Sequence, residues 1–165
     1  MATKALITPE QYLATQFERE PELVHGEIVE RPLPNFPHGN LQLRLGSRLM
    51  ALQPSYPVFT GVEVRIRMAA DVYRIPDIAM WEGAAPEKLP ASPPLLVVEV
   101  VSPDDRWNDL LQKLDEYHAW GVRHIWLVEP ERKQIHVYDN GSLTRVSRLE
   151  LPQFGFAVTA GDLFH

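Results

Sequence analysis

Two carboxylates in this 165-residue chain stand among neighbours that disfavour a charge. Asp77 follows Ile75-Pro76 and precedes Ile78-Ala79, with Ile75 and Ala79 on its own side of an extended run. Glu99 interrupts LLVVEVV at 95–101, the most apolar segment of the chain. Desolvation penalises an ionised carboxylate in such places unless a cation answers it. Either these acids meet a cation, or they sit where a strand end opens to water. Lys113 offers the cation. It falls fourteen positions after Glu99, on the border of the apolar stripe of a predicted helix, from which a long side chain can lie along apolar surface and deliver its ammonium to the sheet end. Asp, Glu and Lys converging at a strand end suit metal-assisted phosphodiester hydrolysis. The carboxylates would hold Mg²⁺ through oxygen, and the lysine would orient a water and face the charge of the transition state.

Each residue also has a plainer reading. Glu99 could pair with Arg74 or another strand cation as a structural acid, Asp77 could cap a turn, and Lys113 could bridge to Asp109 or Glu116 on its own helix.

The elements that must position these residues are readable from periodicity and punctuation. A helix should begin at Thr8, with Pro9 in its first position and Gln11 closing a capping box. Residues 22–30 read as two short strands meeting at a His25-Gly26 turn. Leu41, Leu45, Leu49 and Leu52 fit a helix over 38–52. Alternation over 58–68, with Val62, Val64 and Ile66 against Glu63, Arg65 and Arg67, predicts one half-buried strand, and 73–81 its antiparallel neighbour. Residues 95–101 predict a central strand covered on both faces. Ser102, Asp104 and Asp105 offer caps for a helix ending near Trp120. Its stripe is Trp107, Leu110, Leu114, Tyr117 and Gly121, and Gly121 is the stop. Residues 124–128 form another strand. Those at 134–139 and 142–149 flank Asn140-Gly141, a strong hairpin signal. A mixed sheet with packed helices accommodates this order, in a single α/β (α+β) domain over 1–165.

Composition narrows the classes of function. Hydrophobic residues make up 45% and charged residues 23%, enough for an ordinary core. No apolar run reaches the roughly 20 residues that span a bilayer, so no membrane association is expected. The opening MATKALITPEQ lacks the apolar stretch of a secretory signal. The chain has no cysteine, which excludes disulfides, thiolate metal sites and a cysteine nucleophile; a cytoplasmic location is the plain expectation. The net charge of −6 denies the surface a general grip on nucleic acid, so a polyanion would need a local basic patch or bound metal. Arg65 and Arg67 are the best basic pair on one face, read either as phosphate contacts or, more simply, as a solvated strand face. The four tryptophans read as core or dimer-contact anchors.

The segments IPD at 75–77, VEVVSPDDRWNDLLQKLDEY at 98–117 and WGVRHIWLVEP at 120–130 resemble the Uma-type family of bacterial proteins assigned as endonucleases. That family lies in the PD-(D/E)XK nuclease superfamily, with restriction endonucleases and Holliday-junction resolvases. Likeness extends to ELVHGEIVE at 22–30, Pro37–Gly39 and LPQFGFAVTAGDLF at 151–164, nearly the whole chain. The resemblance implies a restriction-endonuclease-like fold with a central mixed β-sheet flanked by helices. It implies Asp77 and Glu99 as catalytic metal ligands, Glu27 as an early acid completing the shell, and His38 as a substrate-binding or supporting residue. It departs from the superfamily at Val101, where a lysine is expected; in the Uma-type pattern that lysine sits on the next helix, at Lys113. The implied activity is hydrolysis of DNA with Mg²⁺, or Mn²⁺ in its place, by a homodimer. The rival expectations are a catalytically inactive binding or regulatory dimer of the same fold, and a hydrolase of RNA or small phosphoesters.

Overall fold

Thr8 opens the first helix as its sequence predicts. In the computed structural model, which describes residues 5–165, its side chain accepts the Gln11 N–H and the Gln11 side chain returns to the Thr8 backbone. The expectation for the opening residues 1–4 lies outside the described residues. Helix α1 (Pro9–Ala14) leads into β1 (Glu22–Val24) and β2 (Glu27–Val29). His25 and Gly26 join these strands with φ of 49° and 83°, the left-handed pair that a two-residue hairpin turn needs.

Helix α2 (Phe36–Met50) starts two residues before the predicted 38. Asn35 caps it by accepting the His38 N–H at 3.0 Å, which frees Pro37 to sit in the first turn, where no donor is needed. His38, Leu41, Gln42, Leu45 and Leu49 turn inward.

The single strand expected over 58–68 is two strands in two sheets. β3 (Val58–Val62) and β4 (Ile66–Ala69) are separated at Glu63, whose φ of 51° breaks the extended path. The alternation expected there therefore fails at Val62, which is 52% exposed. The returning run over 73–81 is broken as well, into β5 (Val72–Arg74) and β6 (Ile78–Glu82) around Ile75-Pro76-Asp77. Both arms of one long hairpin thus bend at the same level, joined there by the Glu63 N–H donating to the Asp77 carbonyl at 3.2 Å. Beyond the bend β4 and β5 pair with the first hairpin in a four-stranded sheet, β2-β1-β5-β4. Before it, β3 and β6 belong to the main sheet. Pro76 has no N–H to give a ladder, so the break falls where continued pairing would fail.

β7 (Leu96–Val100) is buried along its length, between antiparallel β6 and parallel β8 (His124–Glu129). Helix α3 (Trp107–Trp120) makes the crossover between the two parallel strands. Its cap differs from expectation. Arg106 holds the N-cap position without a side-chain bond, while Asp105 accepts the Ser102 N–H at 2.7 Å and closes the loop instead. Gly121 ends the helix with φ of 110°, as predicted. Leu110, Leu114 and Tyr117 are buried, whereas Trp107 at the helix start is 44% exposed.

β9 (Gln134–Asp139) and β10 (Ser142–Val146) form the Asn140-Gly141 hairpin and complete the six-stranded order β10-β9-β8-β7-β6-β3. The strand expected over 142–149 stops at Val146. β11 (Arg148–Leu151) pairs instead with β12 (Phe156–Thr159) in a separate ribbon, and a short α4 (Ala160–Leu163) follows. The architecture is a mixed α+β fold with a central mixed sheet flanked by helices. Leu96, Val98 and Val100 pack on the face covered by α2 and the β11–β12 ribbon. Val97 packs on the face covered by α3, so strand alternation turns Glu99 toward α3 as well. No helix among the described residues is long and apolar enough to cross a membrane.

Two glycines should respond to alanine with opposite signs. At Gly61, on the inner arm of the bend, a Cβ would lie 2.6 Å from Val64 Cγ2, while at Gly39 in α2 it would meet nothing within 4 Å. Gly61→Ala is expected to lower unfolding stability by about 1–3 kcal/mol. Gly39→Ala is expected to raise it by about 0.5–1 kcal/mol. Urea midpoints of the two variants check both.

Candidate active site

The β6–β7 ladder ends at the Ile78–Val98 pair. Past that point β7 continues without a backbone partner on that side, and the Asp77 side chain takes over, its Oδ2 accepting the Val100 N–H at 2.7 Å. The sheet opens here into a cleft of about 260 Å³ whose walls include His38, Asp77, Glu99 and Lys113.

Three elements hold the acids in place. From α2, His38 Nε2 lies 3.3 Å from Asp77 Oδ1, and Gln42, one turn on, donates to the Asp77 carbonyl at 2.8 Å. From α3, Lys113 Nζ lies 2.8 Å from Glu99 Oε1, and the Tyr117 hydroxyl donates to that same oxygen at 2.7 Å. From β1, Glu22 receives Lys113 Nζ at 2.8 Å and the Ile75 N–H at 2.8 Å on one oxygen, and Arg74 at 2.9 Å on the other. Arg74 reaches on to Glu116 at 2.6 Å. The plainer pairings therefore fail: Arg74 takes Glu22 and Glu116 rather than Glu99, and Lys113 bridges Glu99 and Glu22 rather than its helix neighbours. The backbone N–H groups of Ile75 and Val100, stranded by the bend, are satisfied by acids of the cleft itself.

Burial and charge pull these groups apart. Burial pushes the Glu99 carboxyl up, and the nearby Asp77 and Glu22 outweigh part of the help from Lys113, leaving it raised to about 7. Burial acts on Glu22 in the same direction, but Lys113 and Arg74 overcome it and hold this carboxyl below its ordinary value. Burial would strip the Lys113 proton; Glu22 and Glu99 together reverse that and keep the ammonium charged well beyond neutral pH. For His38 burial again opposes the charge, and the Asp77 carboxylate overrides it, so the imidazole pKa is raised.

The structure brings together Asp77, Glu99, Lys113 and His38, and leaves Glu27 outside. Glu22 and Glu27 lie on one face of the hairpin, but Glu27 pairs with Val24, one strand repeat of about 7 Å further from the bend. It borders a neighbouring depression rather than this cleft. Glu22, Gln42 and Tyr117 were not identified from sequence as parts of the cleft, and Arg74 was read only as a partner for Glu99. Nothing local separates Glu22 from Glu27 or Glu30, and Tyr117 reads as an ordinary stripe residue until its hydroxyl is seen on Glu99.

No group of three or more His, Asp or Glu side chains placed to hold a metal occurs among the described residues. The donor set is two carboxylates, Asp77 and Glu99, on one cleft. That matches Mg²⁺, which takes one or two protein carboxylates and fills its shell with water and phosphate oxygens. It lacks the nitrogen and sulfur donors of a structural zinc centre.

A family model described as "Putative restriction endonuclease" (Uma2) matches residues 9–159. Among solved structures, the chain resembles a crystal structure described as "a putative nuclease belonging to DUF820" from Anabaena variabilis ATCC 29413. The TM-score is 0.83 at 20% identity, over 96% of this chain and 97% of that one. No curated protein matches.

Glu99 gives the metal-free fold a pH dependence of definite sign. Its carboxyl is raised from about 4.5 to about 7 on folding. The folded state therefore holds the extra proton across that window, and stability falls as pH rises through it. His38, also raised, adds to the fall above its ordinary value of 6.5. Glu22, lowered, contributes fully above 4.5 and loses its contribution only in more acid solution. In a chelating buffer the melting temperature is expected to drop between pH 5 and pH 7.5, and Glu99→Gln to remove most of that slope. Equal slopes in wild type and variant would contradict the assignment.

Proposed function

The chain belongs to the Uma2 family, and from that membership and the cleft we propose that it is a Mg²⁺-dependent endonuclease that hydrolyses DNA phosphodiester bonds. One observation carries the reading: Asp77 from the hairpin bend, Glu99 from β7 and Lys113 from α3 line a single cleft, with Lys113 Nζ 2.8 Å from Glu99 Oε1. A restriction-endonuclease-like site needs two acids and a lysine at one strand end. This chain supplies its lysine from the following helix, where Val101 occupies the more usual place.

Asp77 and Glu99 would hold the ion, with Mn²⁺ as a substitute for Mg²⁺. When bound, the ion polarises the phosphate and lowers the pKa of a coordinated water. The protein's own groups do the rest. Lys113, kept protonated by Glu22, orients the attacking water and faces the negative charge that develops on phosphorus-bound oxygen. The Tyr117 hydroxyl fixes Glu99 Oε1, leaving the carboxylate one orientation. His38 and Gln42 fix Asp77 by its side chain and its carbonyl. His38, only 6% exposed, acts in this reading first as a support for Asp77. A homodimer would present one cleft to each strand of a duplex.

Supercoiled DNA incubated with Mg²⁺ tests the proposal. Wild type is expected to nick it, and Asp77→Asn or Glu99→Gln to lose at least about 100-fold in rate, with circular dichroism unchanged. These substitutions keep the side-chain volume, so loss of activity is separable from loss of fold. Cleavage retained by both variants rejects the site. A folded wild type that cleaves no supercoiled, branched or single-stranded DNA with either ion supports the catalytically silent reading instead.

A further inference from the structure

An acidic protein that cuts a polyanion must hold it somewhere. The chain carries six net negative charges, and its cleft is itself lined with carboxylates. The depressions around the cleft differ in charge. Beside the first hairpin, and beside the turn after β8, carboxylates outnumber lysines and arginines. Beside the loop that follows α1 the two are balanced. Next to the hairpin bend the sign changes: Arg19, Arg31, Arg65 and Lys88 line a depression that holds only Glu20 and Glu63 as acids.

This basic depression adjoins the cleft, since Arg19, Arg31 and Ile75 form walls of both. Its cations are also incompletely answered. Glu63 lies 3.4 Å from Arg31, and Glu20 lies 3.2 Å from Arg65. Arg19 Nε is buried and has no hydrogen-bond partner among the described residues. Lys88 is exposed, and no ion pair of it occurs among the described residues.

We propose that Arg19 and Arg31 are gateposts through which the sugar–phosphate backbone of the cleaved strand leaves the cleft, and that Arg65 and Lys88 carry it onward over the hairpin bend. This rests on the nuclease reading and gives the strand a direction. The phosphate to be cut lies against Asp77 and Glu99, and its neighbours on one side run toward the bend rather than toward the β8–β9 turn. Guanidinium groups suit the task because each presents a planar fork of donors to phosphate oxygens. The contacts are to backbone, so they position the strand without selecting a sequence.

Fluorescence anisotropy of a short fluorescein-labelled DNA duplex, titrated in Ca²⁺ buffer over a series of salt concentrations, tests the track. Arg19→Ala and Lys88→Ala are each expected to weaken binding several-fold. Each should also flatten the plot of log Kobs against log salt by about one unit, the signature of one lost phosphate contact. Arg132→Ala removes a 73% exposed arginine beside the acidic β8–β9 turn and should leave the slope unchanged. The track is overturned if Arg19→Ala and Lys88→Ala keep the wild-type slope, if Arg132→Ala flattens it equally, or if wild type fails to bind the duplex. Nicking of supercoiled DNA in Mg²⁺ is measured alongside. A wild type that binds with this pattern of slopes but never nicks counts against the nuclease reading and leaves the track standing. One that nicks, with binding indifferent to Arg19 and Lys88, does the reverse.

Discussion

The ammonium of Lys113, held between Glu99 and Glu22, is the contact on which the cleft depends. Three carboxylates, Glu22, Asp77 and Glu99, are each more than nine-tenths buried. Their desolvation would be prohibitive without cations, and removing one partner of such a buried pair typically costs about 3–5 kcal/mol. Lys113 answers two of them at 2.8 Å each, and Arg74 secures the second oxygen of Glu22. The shared cation also sets the division of labour. Glu22 has both oxygens occupied and is held ionised. Glu99 receives its bonds on one oxygen, and burial leaves its carboxyl raised to about 7.

The bend in the long hairpin gives this electrostatic arrangement its place. β3 and β6 lie in one sheet, β4 and β5 in another, and the two sheets part at Glu63 and Ile75-Pro76-Asp77. A continuous pair of arms would have sealed the edge of β7 with a backbone ladder. Because Pro76 cannot donate and the chain turns away, the N–H of Val100 is left for a side chain, and Asp77 supplies it. The proline thus has a structural reason to precede the aspartate, since it ends the ladder where the acid must face inward. At the break Gln42 donates to the Asp77 carbonyl and Glu22 accepts the Ile75 N–H, so residues around the cleft also help make an interrupted sheet tolerable.

Much of this was legible in the linear chain. Thr8-Pro9 with Gln11, the LLVVEVV run, Gly121 and Asn140-Gly141 each carry local physics strong enough to place an element. The anomaly of Asp77 and Glu99 among apolar residues marked the cleft, and the helical angle of Lys113 brought it to their side. The failures share a cause. The alternation over 58–68 is real, but period two cannot reveal that Glu63 turns the strand into a second sheet. The pattern over 142–149 likewise hides the exchange of partners at Val146. Trp107 sits on the apolar stripe by angle yet lies half in solvent, because the packed part of the helix begins at Leu110.

The sequence by itself determined which segments extend or coil and which acids are out of place, because those properties depend on neighbours a few residues away. Tertiary structure alone decided that Glu22 rather than Glu27 meets Lys113, that Tyr117 and Gln42 anchor the two acids, and that Arg74 serves Glu22 instead of Glu99. Those pairings join residues as many as 91 positions apart, as Glu22 and Lys113 are. Charge attraction acts through space, and which partner lies within 3 Å is set only when the bent hairpin and α3 close on the same cleft.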